Sequence, residues 1–181
     1  MKSIITRNYE ENIFKESRII LEEAFPEDER RILSKHQKLL LNDNFRNEIF
    51  IENEEVIGLL YWWEFEDVIY IENFATKGSI RGKGIGKEIL QSFISSKKKN
   101  ILLEVEKPEL AIHSDEKEIR ERRINFYKRN GFNFNLHPYE FPSYEHEGKY
   151  LEFYIMSFPN TISEEYLNNF KQKYLKIIQI G

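Results

Sequence analysis

The chain is 181 residues long, 40% hydrophobic and 32% charged, which suits a single domain over 1–181 burying about 70% of its unfolded surface. Its 27 basic against 31 acidic residues give a net charge of −4, so no nucleic acid partner is expected from whole-chain attraction. The absence of cysteine excludes disulfides, a thiol nucleophile and thiolate-bound metal; with no signal core and no apolar run long enough for a bilayer, a cytoplasmic protein without a membrane partner is expected.

Ser3 to Asn8 read as a short first strand. Ile13, Phe14, Ile20, Leu21, Ala24 and Phe25 recur at helical spacing, and Pro26 suits the start of a second helix carrying Ile32, Leu33, Leu39 and Leu40. His36 lies on that second stripe and reads as a packed histidine rather than a base. Phe45 to Ile51 and Val56 to Phe65 form a hairpin about Glu52-Asn53-Glu54, and a tight turn at Glu66-Asp67 leads into a third strand over Val68 to Ala75. Leu59, Tyr61, Trp63 and Phe65 share one face of the middle strand and Leu60 and Trp62 the other, as in a strand buried on both sides.

Behind a glycine-rich turn, Ile85, Ile89, Leu90, Phe93 and Ile94 mark a helix whose lysine-rich end, Lys97 to Lys99, reads as a solvated cap. Ile101 to Val105 follow as a strand, and strand, crossover helix, strand makes a right-handed parallel pair. Asp115 and Glu118 frame the start of a further helix that stops at Gly131. Phe132 to Leu136 and Lys149 to Phe158 read as closing strands around a loop from His137 to Gly148. Thr161 and Glu164 box a last helix with Tyr166, Leu167, Phe170 and Tyr174 on its apolar side. This tail, 161–181, packs on the domain or serves a homodimer.

The chemistry concentrates between Tyr70 and Phe93, around Arg81-Gly82-Lys83-Gly84-Ile85-Gly86-Lys87. Glycines there accept backbone angles closed to other residues and let a ligand approach the main chain. Bare N–H groups, the positive helix end and the cations Arg81, Lys83 and Lys87 make an anion site suited to a pyrophosphate. A Walker A loop fails, because Arg81 stands where a glycine is needed and Glu88 where Ser or Thr should bind magnesium. A dinucleotide fingerprint lacks its third glycine at Lys87, although Glu104 lies near the expected ribose-binding position, so a dinucleotide-dependent oxidoreductase is a distant rival.

The spacing of this turn behind a strand ending Phe74-Ala75-Thr76 resembles the acyl-CoA pyrophosphate loop of the GNAT superfamily of N-acyltransferases. The resemblance continues through Leu103-Glu104-Val105 and Asn125-Phe126-Tyr127-Lys128-Arg129-Asn130-Gly131-Phe132, so it covers core motifs over residues 55–158. It implies an α/β (α+β) fold: a twisted, mostly antiparallel mixed sheet of about seven strands with one parallel pair, flanked by about four helices plus a C-terminal helix. It also implies acetyl-CoA as cosubstrate, held by Phe74, Ala75, Thr76, Arg81, Gly82, Lys83, Gly84, Ile85, Gly86 and Lys87, and no metal. The implied activity is transfer of an acetyl group to a primary amine in a ternary complex. Tyr127 matches the family's tyrosine that protonates the departing thiolate.

Glu104 is similar to a position where some members carry a general base, and Glu72, between Tyr70 and Phe74 on an apolar strand, is a second candidate. Either instead serves structure by binding an N–H or an arginine such as Arg122 or Arg123. Many members have an asparagine where this chain has Arg120, so that cofactor contact is not carried over, and Arg120 could instead reach a phosphate. The acceptor is a small-molecule or peptide amine. Tyr139, Glu140, Tyr144, Glu145, His146 and Glu147, with Glu64, Glu66 and Asp67, offer an acidic aromatic mouth suited to a cation. The rival from another class is an acyl-CoA-binding sensor or interaction module without chemistry.

Overall fold

The computed structural model describes residues 1–180. The chain forms seven strands: β1 (Lys2–Ile5), β2 (Phe45–Glu52), β3 (Glu55–Glu64), β4 (Val68–Thr76), β5 (Asn100–Glu106), β6 (Asn133–Pro142) and β7 (Tyr150–Phe158). They form one sheet in the order β1-β2-β3-β4-β5-β7-β6, antiparallel throughout except for β4 against β5. The β2–β3 turn has Asn53 at φ 49° and Glu54 at φ 65°, the two positive angles that match a tight hairpin turn to strand twist.

Two apolar layers sandwich the sheet. On one face Phe14, Leu21 and Leu39 of α1 (Asn12–Ala24) and α2 (Leu33–Leu39) pack on Leu59, Tyr61, Trp63, Tyr70 and Leu102. On the other, Ile89, Leu90 and Phe93 of α3 (Ile85–Ser95) and Ile124 and Tyr127 of α4 (Ser114–Arg129) cover Leu60, Trp62, Ile69, Ile71 and Leu103. The middle strand is thus buried on both faces, with the two residue sets its alternation predicts. The chain ends in α5 (Glu164–Phe170), a π turn over Lys171–Leu175 and α6 (Lys176–Ile180). Leu167, Phe170 and Ile178 join the α1 face, so the tail packs on its own domain. Among the described residues no helix is long and apolar enough to cross a membrane.

β4 and β5 pair only from Val68↔Asn100 to Ile71↔Leu103. Glu72 explains why the pairing stops there. Against β3 the register runs Tyr61↔Asn73 and then Trp62↔Ile71, so Glu72 is the extra residue of a β-bulge, which kinks and twists β4 away from its neighbour. Beyond it β4 keeps its bonds to β3, and β5 keeps β7, but the two parallel strands part.

Several local expectations need correction. Pro26 starts not a long helix but a single 3-10 turn, Glu27–Glu29, and α2 begins only at Leu33, because Arg30 and Ile32 are extended and Arg31 is turned into the core. The helix α4 is not boxed by Asp115 and Glu118; Glu116 accepts the Ile112 N–H (3.0 Å) instead. Ser163, rather than Thr161, caps α5 by accepting from the Tyr166 N–H at 3.1 Å. The first half of the expected loop, His137 to Pro142, is strand: Tyr139 and Phe141 alternate inward along β6, whose prolines are tolerated because β6 is an edge strand. Lys97 to Lys99 are more than solvated, since Lys97 lies 3.9 Å over the Trp62 ring and Lys99 donates to the Phe65 carbonyl at 2.6 Å.

Candidate active site

The glycine turn and the parted strands open a cleft of about 830 Å³ on the α3/α4 side. It is lined by Phe74, Ala75 and Thr76 of β4, by Arg81, Gly82, Gly84, Ile85, Gly86 and Lys87, and by Phe126, Tyr127, Arg129 and Asn130 of the α4 end. Of the ten residues that sequence assigned to the cosubstrate, the cleft collects all but Lys83, which is exposed beside it. Gly82 (φ 81°) and Gly84 (φ 85°) occupy the left-handed region, where a side chain would be strained. Gly86 does not, and a Cβ there would meet Phe126 at 3.7 Å, an ordinary contact, so neither backbone angle nor packing inside the chain demands glycine at this position. The ladder of α3 starts with Glu88 N–H to the Gly84 carbonyl (3.1 Å), which leaves the amides of Ile85, Gly86 and Lys87 ahead of it as donors at a positive helix end. Arg81 folds back, Nε donating to the Thr76 carbonyl at 3.4 Å, while Arg129 and Asn130 add polar groups whose role the sequence did not reveal.

A second, smaller chamber of about 40 Å³ lies where the strands part, on the α1/α2 side. Asp28, Glu29, Tyr70, Glu72, Glu104, Glu106, Phe141, Tyr144 and Phe153 line it. Phe25 and Arg123 line both spaces and so form the wall between them. Arg123 reaches across the gap to pair with Glu106 and lies 5.6 Å over the Phe25 ring.

The carboxylates here have different fates. Glu72 is saturated: Arg31 Nε reaches its Oε1 at 2.8 Å, and its Oε2 accepts from Trp63 Nε1 at 2.6 Å and Arg31 Nη2 at 3.4 Å. Both partners of this ion pair are buried, with side-chain exposures of 3% and 5%. The Arg31 guanidinium also lies 4.7 Å over the Tyr144 ring and donates to the Ile178 carbonyl, tying the α1–α2 connector, the bulge, the β6–β7 turn and the tail together. Glu104 has no ion pair among the described residues; the Tyr70 hydroxyl donates to its Oε1 at 2.5 Å. Burial pushes Glu104 up to about 7, the Tyr70 and Tyr139 hydroxyls oppose the rise, and the charge of Glu72 adds to it. Glu29 is pushed up to about 8, by burial first and then by Glu106, with Arg123 opposing.

Tyr127 sits in the wall of the larger cleft, 6% exposed. Burial pushes its phenol up to about 12, with Arg123 opposing, so it remains protonated across the neutral range. Its place before the α4 terminus follows from Gly131, whose φ of 90° lets Phe132 N–H bond the Tyr127 carbonyl at 3.1 Å. Arg120 does not face a phosphate site: it donates to the Lys107 carbonyl (2.8 Å) and pairs with Glu116. Of the acidic aromatic mouth, Tyr144 lines the small chamber and Tyr139 stands by Glu104, but Glu64 and Asp67 pair with Arg46, Lys99 and Lys173 at the opposite end of β4. His36 is 2% exposed among the rings of Phe14, Phe45 and Tyr61, 3.3 Å from Arg18 Nη1, and burial holds it down to about 3. Among the described residues no three acids or histidines converge as a metal site.

Residues 45–134, which contain both parallel strands, the glycine turn and all of α4, match the family model of the acetyltransferase (GNAT) domain. The chain belongs to the GNAT family of acetyltransferases. A putative GNAT-family acetyltransferase from Bacteroides thetaiotaomicron has the same fold with a TM-score of 0.87 and 28% identity, covering 100% of this chain and 99% of that one. The putative acetyltransferase YjbC of Bacillus subtilis (strain 168) is 30% identical over 112 residues, 62% of this chain; the match spans only 54% of that relative's length. A GNAT-family acetyltransferase from Elizabethkingia anophelis, solved with acetyl-CoA bound, shares the fold at a TM-score of 0.58 and 14% identity, covering 86% of this chain and 95% of that one. Family membership makes acyl transfer the activity to be explained, and the GNAT sheet, seven mostly antiparallel strands with one parallel pair, is the one expected.

Proposed function

We propose that this GNAT protein transfers the acetyl group of acetyl-CoA to a primary amine, of a small molecule or peptide, by direct attack in a ternary complex. The observation that carries this reading is the edge of β4 left unpaired beyond Ile71, running beside free helix-end amides on one side and reaching an unpaired carboxyl on the other. An edge of this kind accepts a chain of amides as a further strand would, so Phe74 to Thr76 suit a pantetheine arm and the amides of Ile85 to Lys87 suit its pyrophosphate. The cosubstrate supplies an activated thioester.

The remaining task is moving protons. An alkylammonium with a pKa of about 10.4 is neutral in only about one molecule in a few thousand at pH 7, so its lone pair must be freed. Glu104 takes that proton, because it alone of the two candidate carboxylates has no arginine on it, and its pKa of about 7 leaves it able to both accept and release a proton. The amine then forms the C–N bond to the carbonyl carbon. As the C–S bond breaks, Tyr127 gives sulfur its proton and the second nitrogen proton restores the phenol. N-acetyl product and free thiol result, and Glu104 releases one proton to solvent.

The test is CoA thiol release across an amine panel with mass detection of acetylated product. Release that depends on an amine supports the reading; acetyl-CoA binding without release from any amine favours the sensor.

A further inference from the structure

The acids around the small chamber do not cancel. Arg31 neutralises Glu72, Arg123 neutralises Glu106 and Lys149 pairs with Asp28 at 3.2 Å. Glu29 and Glu104 have no cation within ion-pair distance among the described residues, yet both line the chamber. Glu104 is assigned to the reacting nitrogen. That nitrogen ends as a neutral amide, so it cannot supply a lasting charge for Glu29. Glu29 therefore ionises only when a counter-charge comes from a part of the acceptor that does not react.

Other features suit a second cation. Phe25, Phe141, Tyr144 and Phe153 line the chamber among the carboxyls, and the face of an aromatic ring attracts an alkylammonium group. The Tyr144 hydroxyl, buried and without a hydrogen-bond partner among the described residues, lies against the same chamber and can accept from an ammonium. Glu29 is carried on the short turn after Pro26, which is moored to the β6–β7 turn by Tyr144 N–H to the Asp28 carbonyl (3.0 Å) and by Lys149. At about 40 Å³ the chamber has room for about one water, so a longer acceptor needs its lining to shift, and the turn brings Asp28 and Glu29 to that lining.

Building on the acetyltransfer reading, we propose that the acceptor is a diamine or longer polyamine, whose reacting nitrogen meets Glu104 while a second, unreacted ammonium is held by Glu29. Glu29 is therefore a specificity-determining residue. Until the ligand arrives it keeps a proton through burial and the nearby charges of Glu106 and Asp28, with Arg123 and Arg120 opposing, and the arriving cation displaces that proton.

The experiment compares kcat/KM for α,ω-diaminoalkanes of about three to six carbons with the monoamines of equal length, in wild type, Glu29→Gln and Glu29→Asp. A diamine preference of tenfold or more in wild type, falling to within about threefold in Glu29→Gln through a raised diamine KM and partly kept in Glu29→Asp, supports the proposal; tenfold corresponds to about 1.4 kcal/mol. Equal use of mono- and diamines by wild type, or a preference that survives Glu29→Gln, overturns it while leaving acetyl transfer intact. Acetyl-CoA binding with no thiol release from either series overturns the acetyltransfer reading, and this inference with it.

Discussion

Replacing Glu104 by Gln removes the proposed base while keeping its shape and its acceptor oxygen for the Tyr70 hydroxyl, now 2.5 Å away. The expected cost is set by two independent estimates. General-base catalysis is worth about 10²–10⁴ in rate, or about 2.7–5.4 kcal/mol. Without a base the reaction depends on the amine fraction already neutral, which for a pKa of about 10.4 is about one part in a few thousand at pH 7. Both place the loss in kcat/KM near a thousandfold at neutral pH. The pH profile separates this from general damage. With Glu104 at about 7, wild-type kcat/KM should fall tenfold per unit below pH 7 and level off above it, whereas the variant should keep rising toward the amine's own pKa. The assay is steady-state thiol release between pH 5.5 and 9.5, with acetyl-CoA affinity measured alongside by calorimetry. A variant that retains activity within about threefold of wild type and keeps the acid limb at pH 7 refutes the assignment.

Tyr127→Phe should lower kcat by about 10²-fold or more with the acetyl-CoA dissociation constant unchanged within about twofold, read by single-turnover kinetics and calorimetry. Gly84→Asp places a side chain at φ 85° and an anion beside the helix-end amides; about 1–2 kcal/mol of stability and at least tenfold in acetyl-CoA affinity should be lost, seen by thermal shift and calorimetry. Arg31→Met strands the buried Glu72 carboxylate and should destabilise by about 3–5 kcal/mol, a fall in Tm of about 6–20 °C, part of which the added Glu72→Leu should restore. His36 is held down to about 3 when folded against about 6.5 unfolded, so the stability it gives above pH 6.5 is lost as the pH falls from there toward 3, about 2 kcal/mol by pH 5. Glu29 and Glu104, raised when folded, titrate with the opposite sign over the same range, so the effect is read as the difference between wild type and His36→Gln in denaturant midpoints at pH 7 and 5.

What could be read from the sequence was whatever a residue type enforces locally. Positive φ at Gly82, Gly84 and Gly131 demands residues without a Cβ, so the anion turn and the end of α4 are written in the glycines themselves. The two-faced pattern of β3 is equally local, since the strand period is two. Apart from the two helix caps, the misreadings involve partners distant in the chain. Arg31 and Glu72 are 41 residues apart, so nothing near Arg31 in the chain marks it as the buried ion-pair partner that interrupts the helix expected from Pro26. Pro138 and Pro142 read as loop because edge position, which makes proline tolerable in β6, is a property of the assembled sheet. Glu64 and Asp67 seemed as good a part of an acidic mouth as Tyr144, but they stand at the wrong end of β4, and only the sheet order reveals it.

The two candidate carboxylates were hard to tell apart as letters because each follows an apolar residue on one of the two parallel strands, and a single inserted residue separates them. As the bulge, Glu72 stays on the α1 face with Tyr70, where its carboxyl reaches Trp63 and Arg31, and the alternation resumes one residue late with Phe74 on the opposite face. Glu104 lies on β5, which keeps a regular antiparallel register with β7 through Glu104↔Ile155, so its carboxyl stays under the tyrosines with no cation. The irregularity that parts the strands for a thioester therefore also consumes one acid as the anchor of the opening and leaves the other to titrate. Removing the bulge by deleting Glu72 should close the β4 edge against β5 and abolish acetyl-CoA binding, even though every residue of the glycine turn remains; binding at wild-type affinity in a folded deletion would mean that the turn alone, and not the parted strands, makes the site.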